Sequence, residues 1–497
     1  MAKTIITEPS RTLMEYRLLP ALTTPESMHG SISLATAIAG DRKGGHLRLN
    51  VPVLSAAMQS VSGTRMAIEL ARLGGAAVIF ASQTVADQAT MVRAVKSYRA
   101  GFVHPRTISP DLPIAEVVKL TDTLGYSTFP VVDESRKLLG LLTRNDFDPV
   151  RHAGKRADER MVPRAKLTVG VSIRDLAKAY ELLTESHQPV LPIVDEQDGL
   201  VSMVFRKDIR DHLDNPDQLL DAKNRFVVFA AINTHDYQER ATALVEAEVD
   251  ALVVDSSDGH STFQGDALVW LKERFPQVPV IAGNVITGDG FRFLAQRGAD
   301  AVKVGMGGGS ICITQEQKGT GRGLATAVLD VVRARDAYFK ETGTYIPVIA
   351  DGGIETARDI TIALAMGADA CMMGRYFARM EESPTEKVVV NNRVMKPYWG
   401  EGSSRARTWR EQRYSQSKFV EGVEGLVEYA GKLKDNLDET FAKIRASMSS
   451  CGAPTVRAFQ ETAVLELVSA LSIREGQVHD IYMPPADGSY TDRGWGG

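Results

Sequence analysis

Cys312 ends a glycine-rich run, Gly305-Met306-Gly307-Gly308-Gly309-Ser310-Ile311, and a hydroxyl follows two residues later at Thr314. A thiolate is a strong nucleophile, and a hydroxyl beside it can relay a proton or hold a water. The glycines let the chain turn sharply and bring its N–H groups up to an anion, with Ser310 as a further donor, so the stretch reads as a phosphate cradle. It lacks the Gly-Lys-Ser/Thr ending of a triphosphate-binding loop. Other residue types suited to a nucleotide recur along the chain. Asp351 is a carboxylate able to accept from both hydroxyls of a ribose diol. Gly352, Gly353 and Gly374 offer backbone donors, and Arg375 offers a counter-charge. Asp255-Ser256-Ser257 and Gly283-Asn284 are further polar ends of apolar runs. Taken singly, a lone cysteine is more often a small buried hydrophobe and an Asp-Gly pair a turn. Their shared position, each just past an apolar run, favours chemistry.

Those apolar runs must be the elements that position the residues. Eight of them read as strands: 51–56, 76–80, 226–232, 251–255, 278–283, 301–304, 346–350 and 370–373. Helical periodicity fills the intervals at 64–73, 237–248, 290–298, 325–338 and 357–367. Eight short strands alternating with helices predict an α/β fold, a closed parallel (β/α)8 TIM barrel, whose C-terminal rim would gather every candidate residue.

A block of different character interrupts the alternation. Phe129-Pro-Val-Val-Asp-Glu recurs from Leu191 and Leu141-Leu-Thr-Arg-Asn-Asp-Phe from Met203, each at a spacing of 62. An internal repeat marks a pseudo-symmetric module. The expected organisation is therefore 1–100 as the first part of the barrel, 101–219 as the inserted module, and 220–497 as the rest. The repeat resembles a tandem pair of CBS domains, a family whose members often bind adenine nucleotides between their halves, so the resemblance implies either an adenine-nucleotide partner or a purely structural module. Thr143 and Asp146 fit the ribose-holding pattern of that family, whereas the second copy has Phe205 before Asp208. Beyond the eighth strand, 381–418 reads as a structureless loop rich in arginine, placed to act as a lid. Helices are expected at 425–448 and 456–469.

With 58 basic against 62 acidic side chains the formal charge is -4, which offers no case for a nucleic-acid partner. Three scattered cysteines, Cys312, Cys371 and Cys451, suggest neither a disulfide framework nor a structural zinc. The chain has no apolar signal core and no apolar run of 18 residues, so the expectation is a cytoplasmic protein with no membrane partner.

The cysteine loop, Ile346-Pro-Val-Ile-Ala-Asp351-Gly-Gly-Ile, Tyr398-Trp-Gly400-Glu401-Gly402-Ser, the Arg413-Tyr414 pair and the inserted repeat together resemble the inosine 5′-monophosphate dehydrogenase family along nearly the whole chain. The resemblance implies NAD-dependent oxidation of IMP to XMP by a homotetramer activated by K+. It implies that Cys312 attacks C2 of the purine and leaves a covalent thioimidate. Arg413 and Tyr414 on the lid, with a water held by Thr314, would hydrolyse it. A guanidinium is normally protonated, so a Thr314–Glu421 relay is an alternative proton acceptor. IMP would be held by Ser310, Asp351, Gly352, Gly353, Gly374, Arg375 and Tyr398, with Gly400, Glu401, Gly402 and Glu421 near the base. Asp255, Ser256, Ser257, Asn284, Gly305 and Gly307 would line the cofactor site. Carbonyls of Gly307, Gly309 and Cys312, with Glu475, Gly476 and Gln477 of a neighbouring subunit, would ligate K+. Met58-Gln59 departs from the family's usual Met-Asp. Lys318-Gly-Thr-Gly also resembles GMP reductase, which deaminates GMP with NADPH. A nucleotide-sensing scaffold with an inert barrel is a third reading.

Overall fold

The computed structural model describes residues 4–40, 46–97, 101–103, 105–124, 127–206, 209, 214–406 and 420–479. Eight parallel strands close into a barrel: β1 (Val53–Ser55), β2 (Ala76–Ile79), β3 (Phe229–Ile232), β4 (Ala251–Asp255), β5 (Val280–Val285), β6 (Ala301–Val304), β7 (Val348–Asp351) and β8 (Ala370–Met373). Closure runs from β8 through β1 and β2 to β3, so the strands before the inserted block and those after it form one sheet. All eight fall on the expected apolar runs, trimmed or shifted by a few residues.

Period-two alternation sorts each strand's side chains. Phe229, Ala231, Val253, Ile281, Ala301, Ile349 and Met372 fill the barrel interior. Their neighbours, among them Val254, Val302, Val304 and Cys371, face the helical jacket. The expected helices occur at Thr64–Arg72, Tyr237–Glu246, Gly288–Gln296, Leu324–Thr342 and Ala357–Ala365. Several stop one or two residues before a glycine of positive φ, such as Gly298 and Gly367, where an L side chain would be strained.

Between β2 and β3 the repeated sequences form matching antiparallel hairpins, Phe129–Val132 with Leu138–Leu142 and Val190–Val194 with Leu200–Phe205, each with one register shift. Val132, Leu138 and Leu141 pack with Val190, Val194, Leu200 and Met203, so the two halves bury one face against each other. Thr143 closes on Asp146, its N–H and hydroxyl both donating to Oδ2 at 2.6 and 2.7 Å. Asp208 lies outside the described residues.

Three expectations need correction. The segment 381–418 is not structureless: Val388–Val390 and Arg393–Trp399 form a hairpin, extended by Glu424–Glu428 into a three-stranded sheet. The turn is Asn391-Asn392, both at positive φ, which a two-residue hairpin connection requires. The expected helix 425–448 therefore begins as that third strand and is helical only over Leu433–Ser450. The expected helix 456–469 ends at Thr462, after which Val464–Leu467 pairs with Tyr16–Leu19. Strand formation there depends on a partner at the other end of the chain. No helix among the described residues is long and apolar enough to cross a membrane.

Candidate active site

A cavity of about 680 Å³ opens at the C-terminal rim of the barrel. The loop after β6 forms one wall, packed against the loop after β7. A Cβ on Gly305 would sit 1.9 Å from the Asp351 carbonyl oxygen, and one on Gly353 would sit 3.0 Å from that of Gly308. Glycine is required here because backbone meets backbone. The strand-like segment 421–423 ties down the far side of the loop, with Ile313 N–H donating to the Glu421 carbonyl and Val423 N–H to that of Ile311.

This stitching places three side chains in line. Cys312 Sγ lies 3.1 Å from Thr314 Oγ1, and Thr314 Oγ1 donates to Glu421 Oε2 at 3.3 Å. Lys318 Nζ lies 3.4 Å from the same carboxylate oxygen. With Thr314 donating to Glu421, its lone pair faces the thiol, so a proton on sulfur has a path through the hydroxyl to a carboxylate. Cys312 is partly exposed, whereas Cys371 and Cys451 are buried.

In the same cavity, alternation along three strands turns Asp255, Lys303 and Asp351 inward. Lys303 Nζ donates to Asp255 Oδ1 at 2.6 Å and to Asp351 Oδ2 at 2.9 Å, with Met372 Sδ at 3.7 Å. Burial disfavours the charge on Lys303, but the two carboxylates more than offset it, and the ammonium stays protonated well above the ordinary lysine range. Asn284 Nδ2 donates to the Gly305 carbonyl at 2.8 Å and to Asp351 Oδ2 at 3.0 Å. Its Oδ1 is buried with no partner among the described residues. An unpaired acceptor in a cavity wall suits the N–H of a ligand carboxamide, so the residues present fit a nicotinamide.

Most of the residues singled out from the sequence line this one cavity: Asp255, Ser256, Ser257, Asn284, Gly305, Gly307, Gly309, Cys312, Thr314, Asp351, Gly352, Gly374, Tyr398, Gly400, Glu401, Gly402 and Glu421. Ser310, Gly353 and Arg375 are not among its lining residues. Ser310 hydrogen-bonds the Tyr398 phenol, whose pKa burial pushes up against that bond. Arg375 pairs with Glu355. The carbonyls of Gly307 and Gly309 are of the ligand class that K+ takes, and each already accepts one N–H, from Gln315 Nε2 and Cys312 respectively. Glu475, Gly476 and Gln477 lie away from the loop of the same chain, with Gly476 beside Arg17. Arg413 and Tyr414 lie outside the described residues.

Sequence reasoning gave no site role to five residues. Lys303 was passed over as part of an apolar run, although a lone lysine at an inward position of a barrel strand is itself a signal. Asn233, Thr234 and His235 follow β3 and line the cavity, as the rule for strand ends anticipates. Gln59, noted as a departure, links three elements. Its N–H donates to Glu401 Oε1 at 2.7 Å, its amide donates to the Ser82 carbonyl at 2.8 Å, and it accepts from Trp399 Nε1 at 3.0 Å.

Comparison with known proteins agrees with this geometry. Residues 11–479 match the family described as IMP dehydrogenase / GMP reductase domain. The chain is 46% identical over 487 residues to an inosine-5′-monophosphate dehydrogenase of Tritrichomonas foetus, covering 95% of this chain and 96% of the relative. It is 35% identical to that of Escherichia coli strain K12, covering 98% and 99%. Among solved structures, a GMP reductase variant from Trypanosoma brucei in complex with guanosine 5′-monophosphate superposes with a TM-score of 0.85 at 28% identity, covering 96% of this chain and 98% of that one. With a family match over most of its length and full-length relatives above 30% identity, the chain belongs to the IMP dehydrogenase / GMP reductase family.

Proposed function

We propose that this enzyme oxidises IMP to XMP with NAD+ through a covalent adduct on Cys312. The observation that carries the reading is the line from Cys312 through Thr314 to Glu421 in the wall of the cavity. It supplies what a two-stage reaction needs, a nucleophile with a proton path that also serves a water. Sγ adds to C2 of the purine, and the C2 hydrogen leaves with its electron pair. Bound nicotinamide supplies the hydride acceptor. Water then adds at C2 of the thioimidate, its proton passes to Thr314–Glu421 or to Arg413 with Tyr414, and the C–S bond breaks to give XMP and free thiolate. Asp351 holds the ribose, and the backbone of the 305–309 and 352–353 loops faces the phosphate with Ser310 and Arg375. Glu401 and its neighbours hold the base, and Asp255 and Asn284 the nicotinamide. K+ on the carbonyls of the Cys312 loop, a homotetramer, and adenine-nucleotide binding by a CBS pair at 101–219 belong to the same proposal.

The likeness to a GMP reductase structure favours a second reading, reductive deamination of GMP. Against it stands Arg413-Tyr414, which a reaction without hydrolysis does not use. Purified protein supplied with IMP and NAD+, with and without K+, should generate NADH; turnover only of GMP with NADPH would assign the reductase.

A further inference from the structure

The buried ammonium of Lys303 touches both sides of the cavity, and nothing in the proposed chemistry uses it. Asp255 ends β4, two strands from β6, and Asp351 ends β7, the next strand on the other side, and the reading above gives them to different ligands. One nitrogen holds both. The lysine side chain is only 2% exposed, against 35% for Asp255 and 17% for Asp351, so the cation is enclosed while both carboxylates still reach the cavity. Among the described residues neither carboxylate accepts a backbone N–H. Asp255 is bonded only to Lys303, and Asp351 only to Lys303 and Asn284. The contacts that join these strands here run through one ammonium and leave the carboxylates' remaining acceptors free of backbone. The pair aims two acceptors into solvent-accessible space, and without the cation the two negative charges would share one small site.

We propose that Lys303 is a positioning residue that couples the nucleotide ribose site to the nicotinamide site by fixing Asp255 and Asp351 on one ammonium. This rests on the functional reading above. Ordering Asp351 against a ribose diol fixes the lysine, and the lysine then presents Asp255 and, through Asp351, Asn284 to the second ligand.

The test compares Lys303→Met with the charge-balanced double variant Lys303→Met/Asp255→Asn, with binding read apart from turnover. Calorimetry with IMP alone should show Lys303→Met binding at least about tenfold more weakly than wild type at pH 7. The double variant should recover most of the IMP affinity, yet retain a KM for NAD+ raised at least about tenfold. Recovery of both, unaltered IMP affinity in Lys303→Met, or loss of folding in both variants would overturn the inference. The wild-type assay with both nucleotide pairs keeps the two questions separate. If only GMP and NADPH turn over, the dehydrogenase reading fails, and the same variants test the coupling with GMP in place of IMP and NADPH in place of NAD+.

Discussion

The two mouths of the barrel use the same residue types to opposite ends. At the N-terminal mouth, Asp250, Asp300 and Asp369 each precede an even-numbered strand, and each carboxylate accepts the N–H of a valine at or just before the start of the preceding odd-numbered strand: Val228, Val280 and Val348, at 2.7 to 2.8 Å. Each also pairs with a cation from the helical jacket, Lys96, Lys272 or Arg335. Those carboxylates are fully occupied and tie strand to strand. At the C-terminal mouth Asp255 and Asp351 are bound only by side chains, glycine replaces bulk, and a buried amide oxygen is left unpaired. Stability is concentrated where every polar group is satisfied, and ligand affinity where some are not.

The largest effect should come at the catalytic mouth. Cys312→Ala should reduce turnover roughly 10⁴-fold or more, while the thermal midpoint stays close to wild type; an equal loss in stability would erase the contrast. Asp369→Ala attacks the other mouth and leaves the buried Arg335 with Asp336 alone as an ionic partner among the described residues. Denaturant unfolding should show a loss of about 3–5 kcal/mol, with KM for the nucleotide unchanged in the protein that remains folded. Glu421→Gln removes the end of the proton path and keeps its shape. We expect turnover lowered about 10²-fold, with stability unmoved.

The smallest effect is one of pH. Burial works against the charge of Asp221, but hydrogen bonds from Lys96 and Arg225 outweigh it and bring its pKa from the ordinary 3.8 to about 2. A carboxylate whose folded pKa is depressed contributes its stability above the unfolded value and loses it as the pH falls through the folded one. Between about pH 4 and pH 2 the protein should lose on the order of 1 kcal/mol through this group, reduced by solvent screening. Asp221→Asn should flatten that part of an acid-unfolding curve.

How far the site was legible depended on sequence distance. The cysteine loop, Thr314 and the glycines were readable because loop chemistry is local: glycine spacing, a thiol and a hydroxyl lie within ten residues. The strands were readable because a parallel strand buried on both faces is a short apolar run. The N-terminal clamps had a local trace in Val249-Asp250-Ala251, Ala299-Asp300-Ala301 and Ala368-Asp369-Ala370. Their meaning required the cation from a distant helix. The pairing of Val464–Leu467 with Tyr16–Leu19 was misread because its partner lies at the other end of the chain, whereas the Asn391-Asn392 hairpin had its turn and both strands side by side and was hidden by its polar setting.

By itself, the sequence determined the alternation that makes a barrel, the loop that carries the thiol, and the residues able to reach a nucleotide at its rim. Periodicity and backbone freedom are properties of neighbouring residues. Only the tertiary structure set Glu421, more than a hundred positions from Cys312, within hydrogen-bonding distance of Thr314, and showed that one lysine grips two aspartates 96 residues apart. Closing a cylinder sets which inward side chains share a layer, and the energy of a buried charge depends on what stands across that layer from it.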